Sequence, residues 1–278
     1  MSLTLMYITN NPDIAQIAQK YGVQRIWVDL EIIGKEERQK NMNTVKSQHS
    51  IDDIKKIVPL LNTAEMLVRV NPWNENSKKE INEVIDAGAD ILMLPMWKSV
   101  DEVRNFIATI DGRTKTTLLL ETKEAEECLD EVLKIPGIDE IHIGLNDLHL
   151  SYGLSFMFEL LTNGSVEKIC RKVKKAGLRY GFGGIARIGE GALPAEKIVL
   201  EHYRLGSTRA ILSRSFCNTQ EVTDLLEIEK LFAKNIKTLR DYEEVVAEAT
   251  EEEYLHNQKE IYDIVNYIVQ EKRRKGSC

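Results

Sequence analysis

Cysteine is scarce in this sequence and widely spread. The 278 residues include 4 cysteines, at positions 128, 170, 217 and 278. No CxxC pair occurs, so the cysteines do not have the spacing of a zinc site, and they do not resemble the dense framework of a small disulfide-bonded secreted domain. We therefore expect reduced thiols and a cytoplasmic protein.

Long apolar runs and an excess of positive charge are also missing. No run approaches the roughly 20 apolar residues that a membrane-spanning helix needs, and the first residues lack the charged and apolar regions of a signal peptide. Lysine and arginine total 37 against 44 aspartate and glutamate, a net charge of −7. This balance argues against a nucleic acid or an anionic membrane as the main partner.

Short apolar runs alternate with amphipathic helix patterns along most of the chain. The runs predicted to be strands lie at residues 3–8, 25–30, 64–70, 91–94, 116–120, 141–143, 178–182 and 209–212. Eight strands separated by helices are typical of a (β/α)₈ TIM barrel. We predict such a barrel as the catalytic domain, at residues 1–217.

Residues 218–278 show no further strand pattern. Apolar residues recur there at steps of three and four, Asn235 interrupts the pattern, and Thr250 with Glu253 forms a capping box that begins another helix. We predict a C-terminal helical extension. Its apolar stripe packs either on the barrel of the same chain or on another subunit, and we expect a homo-oligomer.

Charged residues follow the predicted strands where each of them ends. Asp29 and Glu31 end the second strand, Arg69 ends the third, and Glu121 and Asp147 follow the fifth and sixth. Because the carboxyl ends of parallel strands meet at one rim, these side chains are predicted to lie together. Carboxylates there suit Mg²⁺ or Mn²⁺, with Co²⁺ as an alternative, and an arginine suits the carboxylate or enolate oxygen of a small 2-oxo acid.

Each of these residues also has an ordinary structural interpretation. Glu121 could be an acid at a helix N-terminus, Asp147 could be a helix N-cap, and Arg69 could belong to a structural ion pair. The prediction of a site depends on their joint position.

Five segments carry a resemblance to a known family. They are VDLE (28–31), VRVNP (68–72), AGADILMLPM (87–96), LLLET (118–122) and PGIDEIHIGLNDLHLSYG (136–153). The chain resembles the HpcH/HpaI aldolase and citrate lyase beta-subunit family of the phosphoenolpyruvate/pyruvate TIM-barrel superfamily. The resemblance implies a metal held by Glu121 and Asp147, with Arg69 on the substrate. The resemblance also implies that the backbone at Gly88, Ala89, Leu94 and Pro95 helps to shape the pocket for the 2-oxo acid.

The sequence departs from the aldolase branch at one chemically important position. That branch has a histidine base directly after the acid that ends the second strand, where this chain has Ile32. We consider His49, Asp29, Glu31 or a metal-bound water as the base. Arg187, in the glycine-rich loop after the seventh strand, is predicted to bind an anionic part of the substrate.

These observations predict a metal-dependent carbon–carbon lyase that forms or cleaves a bond to a pyruvate-like 2-oxo acid, with an aldehyde or acyl-CoA partner. The DLE form of the second strand favours one alternative, a citrate- or malyl-CoA-lyase-like enzyme acting on a CoA thioester. A second alternative is a catalytically quiet barrel that binds a metabolite.

Overall fold

A computed structural model describes residues 2–34, 49–219 and 221–276. Eight parallel strands form a closed barrel in which β8 pairs with β1. The strands are β1 Thr4–Ile8, β2 Arg25–Asp29, β3 Glu65–Arg69, β4 Ile91–Leu94, β5 Lys115–Leu120, β6 Glu140–Ile143, β7 Arg179–Ile185 and β8 Arg209–Leu212. The predicted TIM barrel is confirmed, and each predicted strand is present with ends shifted by at most a few residues.

Helices follow the strands and cover the outside of the barrel. They are α1 Pro12–Lys20, α2 Ile51–Ile57, α3 Ser77–Asp86, α4 Val100–Ile110, α5 Lys123–Glu127, α6 Leu129–Val132, α7 Leu145–Ser151, α8 Glu159–Thr162, α9 Ser165–Lys175, α10 Ala195–Leu205, α11 Leu225–Ala247 and α12 Glu251–Gly276. Short 3₁₀ turns occur at Val58–Leu60 and Arg214–Phe216.

The strands bury both of their faces, which explains why they read as continuous apolar runs. Outward-facing side chains join those of the helices in one large core. Inward-facing side chains form a second, smaller core inside the barrel, made of Met6, Trp27, Leu67, Ile91, Met93 and Leu119. This inner core lies below the side chains at the carboxyl ends of the strands and supports them.

A buried ionic network lies inside the barrel at the amino ends of the strands. Arg25 donates two hydrogen bonds to the carboxylate of Glu140, at 2.6 and 2.7 Å, and Arg209 donates two more, at 2.7 and 2.6 Å. Burial alone would raise the pKa of Glu140, but the two guanidinium groups outweigh it and lower the pKa to about 2. This end of the barrel is thereby filled by paired charges.

The C-terminal apolar stripe packs on the chain's own barrel. Helix α11 lies against α1 and α10, and α12 lies against α10 and α8. Helix α11 therefore occupies the place of the eighth barrel helix, so a boundary at residue 217 would separate β8 from its own helix. Helix α11 is continuous through Asn235, which interrupts the apolar pattern, and the Asn235 side-chain amide donates to the carbonyl of Phe216 at 3.0 Å.

The capping box at Thr250 is confirmed. The Thr250 amide donates to Glu253 at 2.7 Å, and the Glu253 amide donates to the Thr250 hydroxyl at 3.3 Å. Across the described residues, no helix combines the length and the apolar character needed to cross a bilayer.

Candidate active site at the carboxyl ends of the strands

Arg69 is held in a fixed orientation by the two acids that end β2. Its Nε and Nη2 atoms donate to the two oxygens of Asp29, both at 2.8 Å, and Nη2 lies 3.2 Å from Glu31 Oε2. The backbone register places Asp29 directly beside Arg69, which makes this two-pronged contact geometrically easy. Burial would lower the pKa of Arg69, but the neighbouring carboxylates raise it, so the guanidinium stays charged.

Trp27 lies beneath this guanidinium, inside the barrel. The centre of the Arg69 guanidinium is 5.3 Å from the indole ring, within the range of a cation–π contact. Nη1 of Arg69 has no hydrogen-bond partner among the described residues, and 12% of the side chain is exposed. The arginine therefore keeps donors available for an anionic oxygen at the rim.

Glu121 and Asp147 form the second half of the site. Glu121 directly follows β5, and Asp147 lies in the first turn of α7, so it is not the N-cap, which is Gly144. Burial raises the pKa of Glu121 well above its usual value, and the nearby charge of Asp147 raises it further, while Arg69 opposes both. A buried carboxylate beside a second carboxylate is an arrangement that a cation would stabilise.

The surroundings of Glu121 leave one of its oxygens available to a ligand. Oε1 accepts a hydrogen bond from the Met96 amide at 3.1 Å. A Cβ atom added to Gly144 would lie 2.8 Å from Oε2, so a glycine here keeps side-chain atoms away from that oxygen. Within the described parts of the chain, no group of three or more His, Cys, Asp or Glu is arranged to hold a metal. Glu121 and Asp147 would thus hold a hard divalent cation only with substrate and water as its other ligands.

Met96 contacts the candidate site, although nothing in the sequence indicates it. Its φ of +51° lies in the left-handed region, which is costly for a residue with a Cβ. This conformation directs the Met96 amide at Glu121. Methionine gives no sequence signal for such a turn, unlike glycine or asparagine.

Asn71 is a second residue that was missed. Its Oδ1 accepts hydrogen bonds from the amides of Ile32 and Ile33, at 2.9 and 3.1 Å, and its own Nδ2 donates to Glu80 at 2.7 Å. Asn71 therefore fixes the backbone just after Glu31. The position directly after the VRV strand was the available signal.

His49 lies beside the end of β2, close to the predicted site. The Asp29 amide donates to His49 Nδ1 at 2.9 Å. The neutral imidazole therefore carries its proton on Nε2. His49 thus lies at the carboxyl end of β2, and its predicted role as a base stays a prediction.

The backbone predicted to shape the pocket divides between the two ends of the barrel. Leu94 ends β4 and Pro95 follows it, so both lie at the rim. Gly88 and Ala89 precede β4 and lie at the opposite end, where Gly88 has a φ of +99° in the turn after α3. The prediction is corrected for these two residues, because a strand separates them from the rim.

Arg187 lies in the loop after β7, on the same end of the barrel as the site. Its guanidinium forms a 3.0 Å ion pair with Glu190, three residues further along the same loop. Among the described residues, no contact joins Arg187 to the cluster around Arg69, and its predicted substrate role stays a prediction.

Comparison with known proteins places these observations in a family. The sequence model of the HpcH/HpaI aldolase/citrate lyase family matches residues 3–181. A 2-keto-3-deoxy-L-rhamnonate aldolase from Shigella dysenteriae serotype 1 is 27% identical over 143 residues, covering 40% of this chain and 54% of that protein. This chain thus matches about half the length of such curated relatives.

Solved structures show the same fold. An HpcH/HpaI aldolase/citrate lyase family protein from Burkholderia cenocepacia J2315 superposes with a TM-score of 0.64 at 13% identity, over 82% of this chain and 95% of that one. An HpcH/HpaI aldolase from Desulfitobacterium hafniense DCB-2 gives 0.61 at 17% identity, over 86% and 93%. Likeness at this identity supports the barrel alone.

Proposed function

The chain belongs to the HpcH/HpaI aldolase/citrate lyase family, and on that premise we propose that it is a divalent-metal-dependent carbon–carbon lyase acting on a small 2-oxo acid. The observation that carries the proposal is the pairing of a cationic and an anionic centre at one rim. Arg69 is fixed by Asp29 with a donor left available, and the charge of Asp147 lies close enough to Glu121 to raise the pKa of Glu121.

Each centre has its own task in this reaction. Glu121 and Asp147 would hold Mg²⁺, Mn²⁺ or Co²⁺, which, when bound, supplies Lewis-acid polarisation of the 2-oxo group. Arg69 donates to the carboxylate or enolate oxygen through Nη1 and stabilises the charge that develops as the carbon–carbon bond breaks. The Trp27 ring below it keeps the guanidinium at the rim.

The acids that end β2 contact Arg69 in different ways. Both oxygens of Asp29 are engaged by Arg69, so we assign Asp29 a positioning role. Glu31 contacts Arg69 through one oxygen at the longer distance of 3.2 Å. Asp29, Glu31, His49 and a metal-bound water remain the candidates for proton transfer at the substrate.

Decarboxylation of oxaloacetate tests the proposal, because this reaction generates pyruvate enolate without requiring a base. The assay compares the wild-type protein with Mg²⁺ or Mn²⁺, the metal alone, Glu121→Gln and Glu126→Gln. Glu126 is an equally buried carboxylate outside the barrel, bound by Tyr152 and Lys168, so it controls for loss of a buried acid. We expect turnover above the metal control in the wild type and in Glu126→Gln, and none in Glu121→Gln.

One observation favours the CoA-thioester alternative. Ile32 and Ile33 follow Glu31 at the rim with 67% and 47% of their surface exposed. Exposed apolar side chains beside a site are suited to an apolar substrate arm. Cleavage of a hydroxyacyl-CoA thioester without oxaloacetate turnover would favour this alternative. Metal binding without either reaction would favour a barrel that binds a metabolite.

We also propose that the protein forms a homo-oligomer. The apolar stripe of α11 and α12 is used within the chain, so the contact would use other surfaces. Light scattering of the full-length protein measures the mass per particle, and a mass of 31.8 kDa would refute assembly.

A further inference from the structure

Strand β2 ends at Asp29, but the segment that follows it stays close to β3. Beyond the strand, the Leu30 amide donates to the Arg69 carbonyl at 2.9 Å. The next amides, from Glu31 onward, lie past the end of the β2–β3 ladder and need other acceptors. Glu31 is nevertheless almost fully buried, with 2% of its side chain exposed. Its backbone must therefore be held by groups outside the sheet.

The side chain of Asn71 supplies the missing acceptor. Its Oδ1 accepts hydrogen bonds from the amides of Ile32 and Ile33, at 2.9 and 3.1 Å. The Glu31 amide itself donates to Asp29 Oδ1 at 3.2 Å. Because the amides on both sides of Glu31 are held as well as its own, the backbone that carries this carboxylate has little freedom to move.

Glu80 on helix α3 orients the Asn71 amide. Glu80 Oε1 accepts from Asn71 Nδ2 at 2.7 Å, and both carboxylate oxygens lie 3.3 Å from the Asn71 backbone nitrogen. An ionised carboxylate only accepts hydrogen bonds, so Glu80 turns the NH₂ group of the amide towards α3 and leaves the amide oxygen for the end of β2. Hydrogen bonds to an ionised acceptor are also stronger than neutral ones, which makes this orientation firm.

The position of Glu31 matters because this carboxylate is close to both charged centres of the rim. Its Oε2 lies 3.2 Å from Arg69 Nη2. Burial raises the pKa of Glu121, and the charges of Asp147 and Glu31 raise it further. Glu31 therefore acts on the arginine and on the carboxylate pair together, and a shift of its backbone would disturb both.

We propose that Asn71, oriented by Glu80, is a positioning residue that holds Glu31 against Arg69 at the rim. The catalytic consequence rests on the proposed function, whereas the placement of Glu31 is a property of the folded chain alone. An error of about 1 Å in the position of an active-site group can lower turnover by about 10²-fold. Asn71 and Glu80 therefore contribute to the reaction through Glu31, from outside the site itself.

Amide hydrogen exchange in the full-length protein tests the placement without metal or substrate. Asn71→Ala removes the acceptor, so exchange at Ile32 and Ile33 should become about ten-fold faster or more. Glu83→Gln is the matched control, because Glu83 lies on the same helix but is half exposed and pairs with Lys79. This control should leave both rates unchanged. Unchanged rates in Asn71→Ala would overturn the proposal, whether or not the protein is a lyase.

An exchange of polarity between the two partners tests the link to the reaction. In Asn71→Asp two carboxylates face each other, and in Glu80→Gln two donors meet an amide with one acceptor. The double variant Asn71→Asp/Glu80→Gln restores a complementary pair with its direction reversed, and it still offers an oxygen to the end of β2. We expect oxaloacetate turnover to fall about ten-fold or more in Asn71→Asp and to return to within about three-fold of the wild type in the double variant. Losses that simply multiply in the double variant would overturn the role of Glu80.

The two measurements separate this inference from the proposed function. Faster exchange in Asn71→Ala with wild-type turnover would make Asn71 a loop-stabilising residue only and would overturn its positioning role. A wild-type protein without oxaloacetate turnover would refute the proposed reaction, and the placement of Glu31 would then stand or fall with the exchange rates. If Asn71→Asp does not fold, Glu80→Gln compared with the double variant makes the same test, because turnover should be lower in the single variant.

Discussion

The exchange Glu121→Gln separates metal binding from folding, because the side chain lies at the rim and its shape is kept. A metal present at 100 times its Kd stabilises the wild-type protein by about 2.7 kcal/mol. For a chain of this size that corresponds to an increase of about 5 °C in Tm. The variant loses a ligand carboxylate, so we expect its Tm to be unchanged by Mg²⁺ or Mn²⁺.

Without metal, the wild type should not be more stable than Glu121→Gln at pH 7. The pKa of Glu121 is raised in the folded state above its ordinary value of 4.5, first by burial and then by Asp147. The wild type therefore loses stability as the pH rises from about 4.5 through the raised folded pKa, because the unfolded state ionises first. A glutamine has no such loss, so Glu121→Gln without metal should be at least as stable as the wild type at pH 7.

Differential scanning calorimetry with and without metal, at several pH values, measures both effects. Glu126→Gln is the control, and it should keep the full metal-induced increase in Tm. Calorimetric titration of the metal gives the affinity directly. A full metal-induced shift in Glu121→Gln would remove this residue from the metal site and refute the reasoning.

Three further changes test other parts of the structure. Gly144→Ala places a Cβ 2.8 Å from Glu121 Oε2. We therefore expect the metal Kd measured by titration calorimetry to rise by about ten-fold or more. An unchanged Kd would contradict the role of this glycine. Arg69→Lys keeps the charge but loses the two-pronged contact with Asp29. Turnover of oxaloacetate should therefore fall by roughly 10²-fold at unchanged metal affinity. Undiminished turnover would exclude Arg69 from the reaction. Glu140→Gln leaves two buried guanidinium groups poorly paired, so urea unfolding at pH 7 should show a free energy of unfolding lower by about 3–5 kcal/mol. This loss should shrink as the pH falls from 4.5 towards 2, because the wild-type carboxylate also becomes protonated there. A loss that does not change with pH would refute this account.

The alternation of apolar runs and helix patterns was sufficient to predict the barrel. Each strand is buried on both faces, so its residues are apolar regardless of which strand lies beside it. The charged residues at strand ends were equally visible, because every parallel strand in this fold delivers its carboxyl end to the same rim. The acids and the arginine of the site were found in this way.

Conformation and pairing could not be predicted from the same patterns. Gly88 and Ala89 belong to a family-like segment, but they lie before β4 and therefore at the opposite end from Leu94. The chain also gave no signal that Met96 adopts a left-handed conformation, since that conformation is imposed by its surroundings. The apolar stripe of α11 did not identify the surface on which the helix packs, because an apolar face specifies burial but not the surface that covers it.

The sequence by itself determined the order of strands and helices and the set of charged residues at one rim, because both depend on local periodicity and chain direction. Only the tertiary structure decided that Asp29 holds Arg69, that Met96 and Gly144 set the surroundings of Glu121, and that α11 completes the barrel. These are contacts between residues that are distant in sequence, and their geometry depends on strand register and close packing.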